Sequence, residues 1–343
     1  MVEIIKLFKY NIISYLKILK NTKFINYNYN NIEKKDLNTV RIFKIKNCFF
    51  DTRNDFAFDS NGKIISETLD NKARIKNFKK KKFKKKVFFD EDKIVLNLSS
   101  EQHFNYYHFI IDILFKLFIF RKLNINNYTI VLPKEKFNGY RKDIFEFFFP
   151  REIKKVFLVD KNSYIVCKIL YHIESNFDHN FIKFKDYLLF LSKKIKNSKK
   201  LSKFKFKKVY ISRKLANYRG FKNEKKLITY LSKQGFKILH FENMNILDQF
   251  SVFKNSKIIL TCHGSALTNL IASNKKNLII EIHSRIFTDN YLKISQLLNL
   301  KNYKNYLLKE NRFFNFFDNI TEKNKNKIIT EDFLNDINFL INQ

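Results

Sequence analysis

The second half of the chain alternates between short apolar runs and longer segments whose apolar residues recur at helical spacing. The strand-like runs are KVYISR (208–213), KILHFE (237–242), KIILTC (257–262) and NLIIEIHS (277–284). The intervening segments predict helices over 223–234, 246–254 and 264–273. Because strands and helices alternate strictly, this half is predicted to form a Rossmann-like parallel sheet.

The first half begins with short β-rich runs and then also alternates. Between residues 40 and 69, the dipeptide Asn61-Gly62 separates FAFDS from KIISE and predicts a hairpin in an N-terminal sheet. Further on, the strand-like segments KIVLNLSS, YTIVLP, KVFLVD and 164–172 are interleaved with helical stretches over 104–123 and 141–149. This order predicts a second layered unit, and the fold class is therefore α/β.

The length of 343 residues suits two domains with separate cores. Pattern changes place an N-terminal domain with a leading helix and a hairpin region at 1–200, a Rossmann-like domain at 201–310 and a helical extension at 311–343. The extension should end in a helix that starts near Thr330 and packs back on the body, since its apolar residues share one face. These residues are Phe333, Leu334, Ile337, Leu340 and Ile341.

Composition indicates a globular protein with a strongly basic surface. Hydrophobic residues make up 45% of the chain, and 67 basic residues face 32 acidic ones, a formal charge of +35. Such a charge suits a polyanion or an acidic membrane surface, but the lysines are scattered, as a coding bias would leave them. The densest run, 79–86, is predicted to be a solvated loop. A nucleic-acid-binding protein stays open as an alternative, although most phenylalanines lie in apolar runs rather than beside basic residues.

The spacing of the cysteines and the composition of the first twenty residues indicate in which cellular compartment the protein is expected. Cys48, Cys167 and Cys262 form neither a CxxC pair nor a Cys/His group, so neither a disulfide framework nor a zinc site is expected. Lysines interrupt the apolar residues of 1–20, so this segment predicts no signal peptide or membrane span. We expect a cytoplasmic protein whose first helix packs on its own core or lies on a membrane surface.

Three polar residues form a stripe on the otherwise apolar helix predicted over 104–123. His108, Asp112 and Lys116 recur at intervals of four residues and share one face. Burying a carboxylate among apolar residues is costly unless it is paired. The stripe therefore either lines a cleft or forms a structural network such as an interdomain salt bridge, and the spacing leaves both open.

A second set of candidates follows the predicted strand 257–262. His263-Gly264-Ser265 leads directly into a predicted helix, whose first N–H groups and dipole suit a phosphate. Gly264 would let the ligand approach the backbone closely. A plain strand-to-helix turn is the alternative that this short sequence leaves open.

Further candidates lie at the same predicted sheet edge. Arg213 ends strand 208–213 and Arg219 follows it, and guanidinium groups suit a diphosphate. Asn223-Glu224 opens the next helix. Glu281, near the end of a strand, would bind ribose hydroxyls or pair with a lysine.

No GxGxxG, Walker, HExxH or GxSxG motif occurs in the sequence, which disfavours dinucleotide oxidoreductases, P-loop enzymes, zinc proteases and common hydrolases.

Taken in order, these segments resemble glycosyltransferase family 61. The resemblance is carried by NYYHFIID (105–112), YISR (210–213), Arg219, Asn223-Glu224, Gln249 with Phe253, HGSALTN (263–269) and the IIE that ends at Glu281. It implies a GT-B fold of two Rossmann-like lobes facing a cleft, an inverting sugar transfer, and neither a metal nor another cofactor. The sequence departs from the family at Ala266, where a second glycine is more usual, and the methyl group narrows the room beside the phosphates.

The resemblance also implies partners and roles. The donor would be a nucleotide sugar, and the acceptor a glycan or lipid-linked glycan in the synthesis of capsule or another surface polysaccharide. Asp112 would be the general base, with His108 orienting it or serving in its place. The donor-binding residues would be Arg213, Arg219, Asn223, Glu224, His263, Gly264, Ser265, Asn269 and Glu281. An inactive transferase-like binding module is the remaining alternative, and no specific nucleic acid is expected as a partner.

Overall fold

The computed structural model confirms an α/β fold built on two sheets. It describes residues 32–37, 40–51, 56–59, 61, 63–68, 85–88, 93–98, 104–160, 163–173, 181–201, 204, 206–216, 220–283, 289–308 and 329–342. The helix predicted over 1–20 lies outside the described residues. Within them, no helix combines the length and the apolar character that crossing a bilayer requires.

The first sheet is mixed, and its described strands run in the order β1-β2-β8-β5-β6-β7, with β3 paired to β2 and β4 to β8. The strands are β1 (Ile32–Leu37), β2 (Val40–Asp51), β3 (Phe56–Phe58), β4 (Lys85–Phe88), β5 (Ile94–Asn97), β6 (Tyr128–Pro133), β7 (Val156–Val159) and β8 (Ser163–Ile173). The pairs of β2 with β1, β3 and β8 are antiparallel, and the other pairs are parallel.

The predicted N-terminal sheet is therefore not separate. The long strand β8 pairs with β2 along one edge and with β4 and β5 along the other, so the β-rich segment extends the same sheet. This half is accordingly mixed rather than a purely parallel Rossmann-like sheet. The predicted reversal at Asn61 is present, since the Asp59 carboxylate accepts hydrogen bonds from the backbone N–H groups of Asn61 and Lys63; Gly62 lies outside the described residues.

The basic run also differs from expectation at its end. Lys85 and Lys86 begin strand β4 instead of continuing a loop. Their strand pairs with β8 in parallel, with Lys85 beside Ser163 and Phe88 beside Val166. The rest of the run, 79–84, lies outside the described residues.

The second sheet has five parallel strands in the order β10-β9-β11-β12-β13. They are β9 (Lys208–Ile211), β10 (Lys237–Leu239), β11 (Ile258–Cys262), β12 (Leu278–His283) and β13 (Tyr303–Leu307). The first four confirm the strands predicted from sequence, and β13 was not foreseen. Numbered within this sheet the order is 2-1-3-4-5, which reverses direction between β9 and β11.

The helices fill the space between and outside the sheets. A continuous helix consists of α1 (Tyr106–His108), a π-helical segment (Phe109–Ile113) and α2 (Leu114–Arg121). The others are α3 (Tyr140–Phe148), α4 (Phe181–Lys196), α5 (Glu224–Lys233), α6 (Ile246–Asn255), α7 (Asn290–Leu297) and α8 (Glu331–Asn342). Short 3₁₀ helices cover Ser66–Thr68, Lys134–Lys136, Glu152–Lys155, Phe241–Asn243 and Ser265–Ala272. Thr330 caps α8 as predicted, because its hydroxyl accepts a hydrogen bond from the backbone N–H of Phe333.

One apolar core runs continuously from the first sheet to the second. On β9, Val209 and Ile211 belong to this shared core, whereas Tyr210 between them packs toward α5 and α8. Helices α2 and α4 lie in the shared layer, where the rings of Phe115 and Phe184 stack at 4.1 Å between centroids. The two sheets therefore share one core that includes this helical layer, and the domain limits near residues 200 and 310 stay a prediction.

Candidate functional site

The candidate site lies where the strand order of the second sheet reverses. Strands β9 and β11 are neighbours there, and their carboxyl ends carry Ser212-Arg213 and His263-Gly264. In open parallel sheets, the crevice outside the strand ends at such a point is where ligands bind. The fold thus brings together two of the segments that the sequence singled out.

Arg213 lies directly over Gly264. A Cβ atom on Gly264 would stand 2.9 Å from the Arg213 Cζ and closer still to Nη1. The backbone of Gly264 is extended, with φ 168° and ψ 170°, so the glycine is needed for space and not for its conformation. The room that we expected a ligand to use is taken by the guanidinium of Arg213.

Glu224 holds the turn that carries Arg213. Its Oε1 accepts hydrogen bonds from the Tyr210 hydroxyl at 2.7 Å, the Ser212 hydroxyl at 2.8 Å and the Arg213 backbone N–H at 3.2 Å. Glu224 is buried, and all three hydrogen bonds end on the same carboxylate oxygen. In this geometry Glu224 positions Arg213. The sequence had instead predicted that Glu224 itself would contact the nucleotide sugar.

Asn223 is engaged elsewhere. Its side chain donates to the carbonyl of Ile329 and accepts from the N–H of the same residue, which fastens the segment leading into α8. Both polar groups of this amide are therefore occupied within the protein, whereas the sequence had predicted that Asn223 would contact the nucleotide sugar. Arg219 lies outside the described residues, so its expected role remains a prediction.

A fully buried carboxylate lies beneath the same crevice. Glu281 on β12 accepts hydrogen bonds from His263 Nδ1 at 2.5 Å and from the Tyr303 hydroxyl, and its Oε2 lies 3.2 Å from His283 Nε2. Burial alone would raise the pKa of Glu281, but the hydrogen bonds from His263, His283 and Tyr303 outweigh it and hold the pKa below its ordinary value of 4.5. Because both oxygens meet protein donors, Glu281 does not face a ribose.

The network fixes the ring of His263. Its Nδ1 is bonded to Glu281, and its ring stacks on His283 with 5.3 Å between centroids. A ligand would therefore meet the other ring nitrogen, Nε2. A carboxylate that accepts a hydrogen bond from Nδ1 holds the ring in one orientation.

The same three residues could in principle hold a metal ion. The ligand atoms of His263, Glu281 and His283 lie within 4.8 Å of one another. Zinc bonds of about 2.0–2.1 Å in a tetrahedral site would keep neighbouring ligand atoms well over 3 Å apart. The separation of 2.5 Å between His263 Nδ1 and Glu281 Oε1 is instead that of a charge-assisted hydrogen bond.

The polar stripe of the first lobe forms a second pair. His108 Nδ1 and Asp112 Oδ2 are 2.6 Å apart, and the two side chains are 28% and 20% exposed, so a substrate can reach both. Asp112 lies in the π-helical segment, a distortion of the ladder that is frequent at functional sites. The Tyr187 hydroxyl of α4 donates to the carbonyl of Ile110 in this segment, which supports the widened turn. The third member of the stripe, Lys116, is fully buried.

Aromatic rings connect the His108–Asp112 pair with His263. Tyr107 makes edge contacts with both His108 and Tyr291, at 5.1 and 5.5 Å between centroids, and Tyr291 in turn packs on His263 at 5.2 Å. The His108–Asp112 pair is thus connected to the crevice at the ends of β9 and β11.

A hydrogen-bond chain also joins the lobes. The Tyr106 hydroxyl donates to Asn269 Oδ1 at 2.6 Å, and the Asn269 amide donates to Gln249 Oε1 and to the Ala266 carbonyl. Asn269 is fully buried, so it joins the lobes instead of meeting a donor directly. Ser265 is partly exposed at the start of the 3₁₀ helix and remains available to a ligand.

Sequence reasoning did not single out five residues of this site: Tyr106, Tyr107, Tyr291, Tyr303 and His283. Tyr106, Tyr291 and Tyr303 give no local signal, because each acts on a residue that is distant in the sequence. His283 was detectable: it lies two positions after Glu281 on the same strand and so shares its face.

Glu281→Gln should lower the melting temperature at neutral pH, because the neutral amide cannot replace a carboxylate with charge-assisted donors, a loss of about 1–3 kcal/mol. Since the pKa of Glu281 is lowered on folding, its carboxylate stabilises the fold above about pH 4.5 and loses that effect as the pH falls further. The gap between wild type and variant should therefore narrow in acid. Thermal unfolding from pH 7 to pH 3 measures it, with Tyr303→Phe as a milder control; a gap independent of pH would contradict the assignment.

Comparison with known proteins agrees with this arrangement. The family model described as Glycosyltransferase 61 matches residues 106–280, just over half of the chain, from the turn before His108 to the residue before Glu281. No curated protein matches the sequence. The matched region contains the His108–Asp112 pair, Arg213 and the His263-Gly264 turn in one continuous alignment. The chain therefore belongs to glycosyltransferase family 61.

Proposed function

We propose that this protein transfers a sugar from a nucleotide-activated donor to a hydroxyl group of a glycan, with inversion at the anomeric carbon and without a metal ion. The observation that carries the proposal is the chain of ring contacts from His108 through Tyr107 and Tyr291 to His263. The His108–Asp112 pair at one end offers a base. At the other end, His263 lies at the sheet edge where Arg213 packs on Gly264 and offers a positive charge.

The donor side of the proposal rests on the second sheet. The diphosphate would lie outside the ends of β9 and β11, where the guanidinium of Arg213, the imidazole of His263 and the first N–H groups of the 3₁₀ helix from Ser265 meet. Glu224 and Glu281 would hold Arg213 and His263 in place from within the protein. These positive groups would stabilise the charge that develops on the leaving diphosphate.

The acceptor side rests on the His108–Asp112 pair. The bond between Asp112 and Nδ1 of His108 leaves Nε2 to accept the proton of the acceptor hydroxyl, with Asp112 orienting the ring. This geometry supports His108 as the base at least as well as Asp112, which the sequence favoured. As the hydroxyl loses its proton, its oxygen bonds to the anomeric carbon, and the bond from that carbon to the diphosphate breaks, leaving the electron pair on the nucleoside diphosphate.

The biological setting is part of the same proposal. We propose that residues 1–200 face the acceptor and 201–310 bind the donor, in a GT-B arrangement. Acceptors of the surface-polysaccharide class, glycans or lipid-linked glycans, would be met on the cytoplasmic side of a membrane, where the charge of +35 favours contact with acidic lipids.

Removing the Arg213 side chain, or filling the space above Gly264 that it occupies, should weaken binding of the nucleotide donor. Arg213→Ala loses a charged contact, and Gly264→Ala displaces the same guanidinium, so each should raise the dissociation constant of the cognate nucleoside diphosphate about 10- to 100-fold. Because both changes remove one interaction, the double variant should be little worse than either. Thermal shifts against a panel of nucleotide sugars and nucleoside diphosphates identify the donor and measure the effect. Lys214→Ala is the matched control; fully additive losses would contradict the shared role.

Transfer should persist in excess EDTA, because Arg213 and His263 would take the place of a cation at the diphosphate. A radiolabelled or chromatographic transfer assay with and without EDTA checks this. A complete loss that zinc or another divalent ion restores would overturn the metal-independent mechanism and assign the ion to His263, Glu281 and His283.

Asp112→Asn should lower turnover by about 10²–10⁴-fold, the usual effect of disabling a positioned base. The asparagine keeps the shape and a hydrogen bond to His108, so the melting temperature and the affinity for nucleoside diphosphate should change little. Both are measured on the same purified variant as turnover. His108→Gln separates the roles, since substantial remaining turnover assigns the proton to Asp112 and complete loss assigns it to His108. A stable Asn variant with normal turnover would contradict any catalytic role for the pair.

A further inference from the structure

A nearly buried cation lies beside the proposed acceptor site. Arg141 at the start of α3 is only 8% exposed. Its Nη2 donates to Asn138 Oδ1 at 2.6 Å and its Nη1 to the Tyr140 hydroxyl at 3.2 Å, whereas its Nε has no hydrogen-bond partner within the described chain. Among the salt bridges formed by described residues, none includes Arg141.

Two aromatic rings flank this guanidinium. Its Cζ lies 4.9 Å from the centroid of the Tyr140 ring and 5.7 Å from that of Phe104. The Tyr140 hydroxyl donates to the Phe104 carbonyl, which fixes the two residues relative to one another. Phe104 is 59% exposed although it is a large apolar side chain. We call Phe104, Tyr140 and Arg141 the Arg141 ledge.

The ledge is connected to the helical turn that carries His108. The ring of Tyr140 packs on that of Tyr106 at 5.7 Å, and Tyr106 lies in the same helical turn as His108. The Tyr106 hydroxyl also donates a hydrogen bond to Asn269 Oδ1. The ledge is therefore separated by a single aromatic residue, Tyr106, from the turn that carries the proposed base.

A cation in this state requires an anion. None of the carboxylates that the structure describes forms a salt bridge with Arg141. Taking a guanidinium out of water without such a partner is unfavourable, and two aromatic faces offset only part of that cost. The position on the first turn of α3 adds the positive end of a helix dipole and makes the cation costlier still. The planar guanidinium suits a carboxylate or a phosphate. The exposed ring of Phe104 suits the apolar face of a sugar.

We propose that the Arg141 ledge is an acceptor subsite that binds an anionic group, a carboxylate or phosphate, with the attached sugar ring against Phe104. The inference rests on the proposed function, since it assigns the ligand to the acceptor. An acidic sugar within a glycan and the phosphate of a lipid-linked glycan share this chemistry.

Binding measurements with the full chain test the subsite without turnover. Saturating nucleoside diphosphate is kept present, and D-glucuronate, glycerol 3-phosphate and neutral glucose are titrated by calorimetry. We expect glucuronate or glycerol 3-phosphate to bind and glucose not to bind. Arg141→Gln should weaken anion binding about 10-fold or more, and Lys142→Gln, which removes an exposed charge one position along, should leave it unchanged. Preference for glucuronate indicates an acidic sugar, and preference for glycerol 3-phosphate indicates a phosphate-bearing acceptor.

Two variants separate the outcomes further. Phe104→Ala should weaken glucuronate binding more than that of inorganic phosphate, because only the former has a ring to pack. The ligand-free melting temperature of Arg141→Gln should equal or exceed that of wild type, since a cation without a counter-ion is removed. A marked decrease would show a structural role and overturn the proposal, as would equal anion binding by Arg141→Gln and Lys142→Gln.

A weakened nucleoside diphosphate affinity in Arg141→Gln would also overturn the proposal, by assigning the ledge to the donor. Failure of the proposed function looks different: Arg213→Ala would leave nucleoside diphosphate binding intact, while the anion would still bind at the ledge.

Discussion

A carboxylate without access to water must be surrounded by donors, and Glu281 meets this requirement by drawing three elements together. His263 comes from the loop after β11, His283 from the same strand as Glu281, and Tyr303 from β13. Once His263 is fixed in this way, its ring sets the position of Tyr291, and through Tyr107 that of His108. The geometry of the candidate site therefore depends on one buried charge and the donors around it.

The second sheet was largely predictable because its strands carry their own signal. Strands buried on both faces read as apolar runs, and the helices between them show a different period, so four strands were placed within a few residues. Strand β13 was missed because YKNYL is half-exposed and polar at the sheet edge. Helix α4 was not predicted either, since lysines interrupt its apolar face.

The sequence indicated which of the candidate residues lie near one another, but not the contacts that several of them make. His263, Gly264 and Arg213 were expected to meet a ligand, and the fold places them at one sheet edge. The tasks of Glu224, Asn223 and Asn269 depend on partners far away: Asn223 bonds to a residue 106 positions on, and Asn269 to one 163 positions back. No local pattern encodes such contacts. The isolation of Arg141 is equally invisible in a chain with 67 basic residues.

The apolar core shared by the two sheets has a consequence for how substrates are recognised. Rocking the sheets apart would expose that core to water and break the bond between Tyr106 and Asn269, so an open arrangement is disfavoured before any ligand arrives. Ligands then do not have to select a rare closed conformer, and their apparent affinity is not reduced by its scarcity. Substrates are then discriminated by the shape and charge of a preorganised crevice. A mismatch between one of its side chains and the substrate directly lowers the binding affinity.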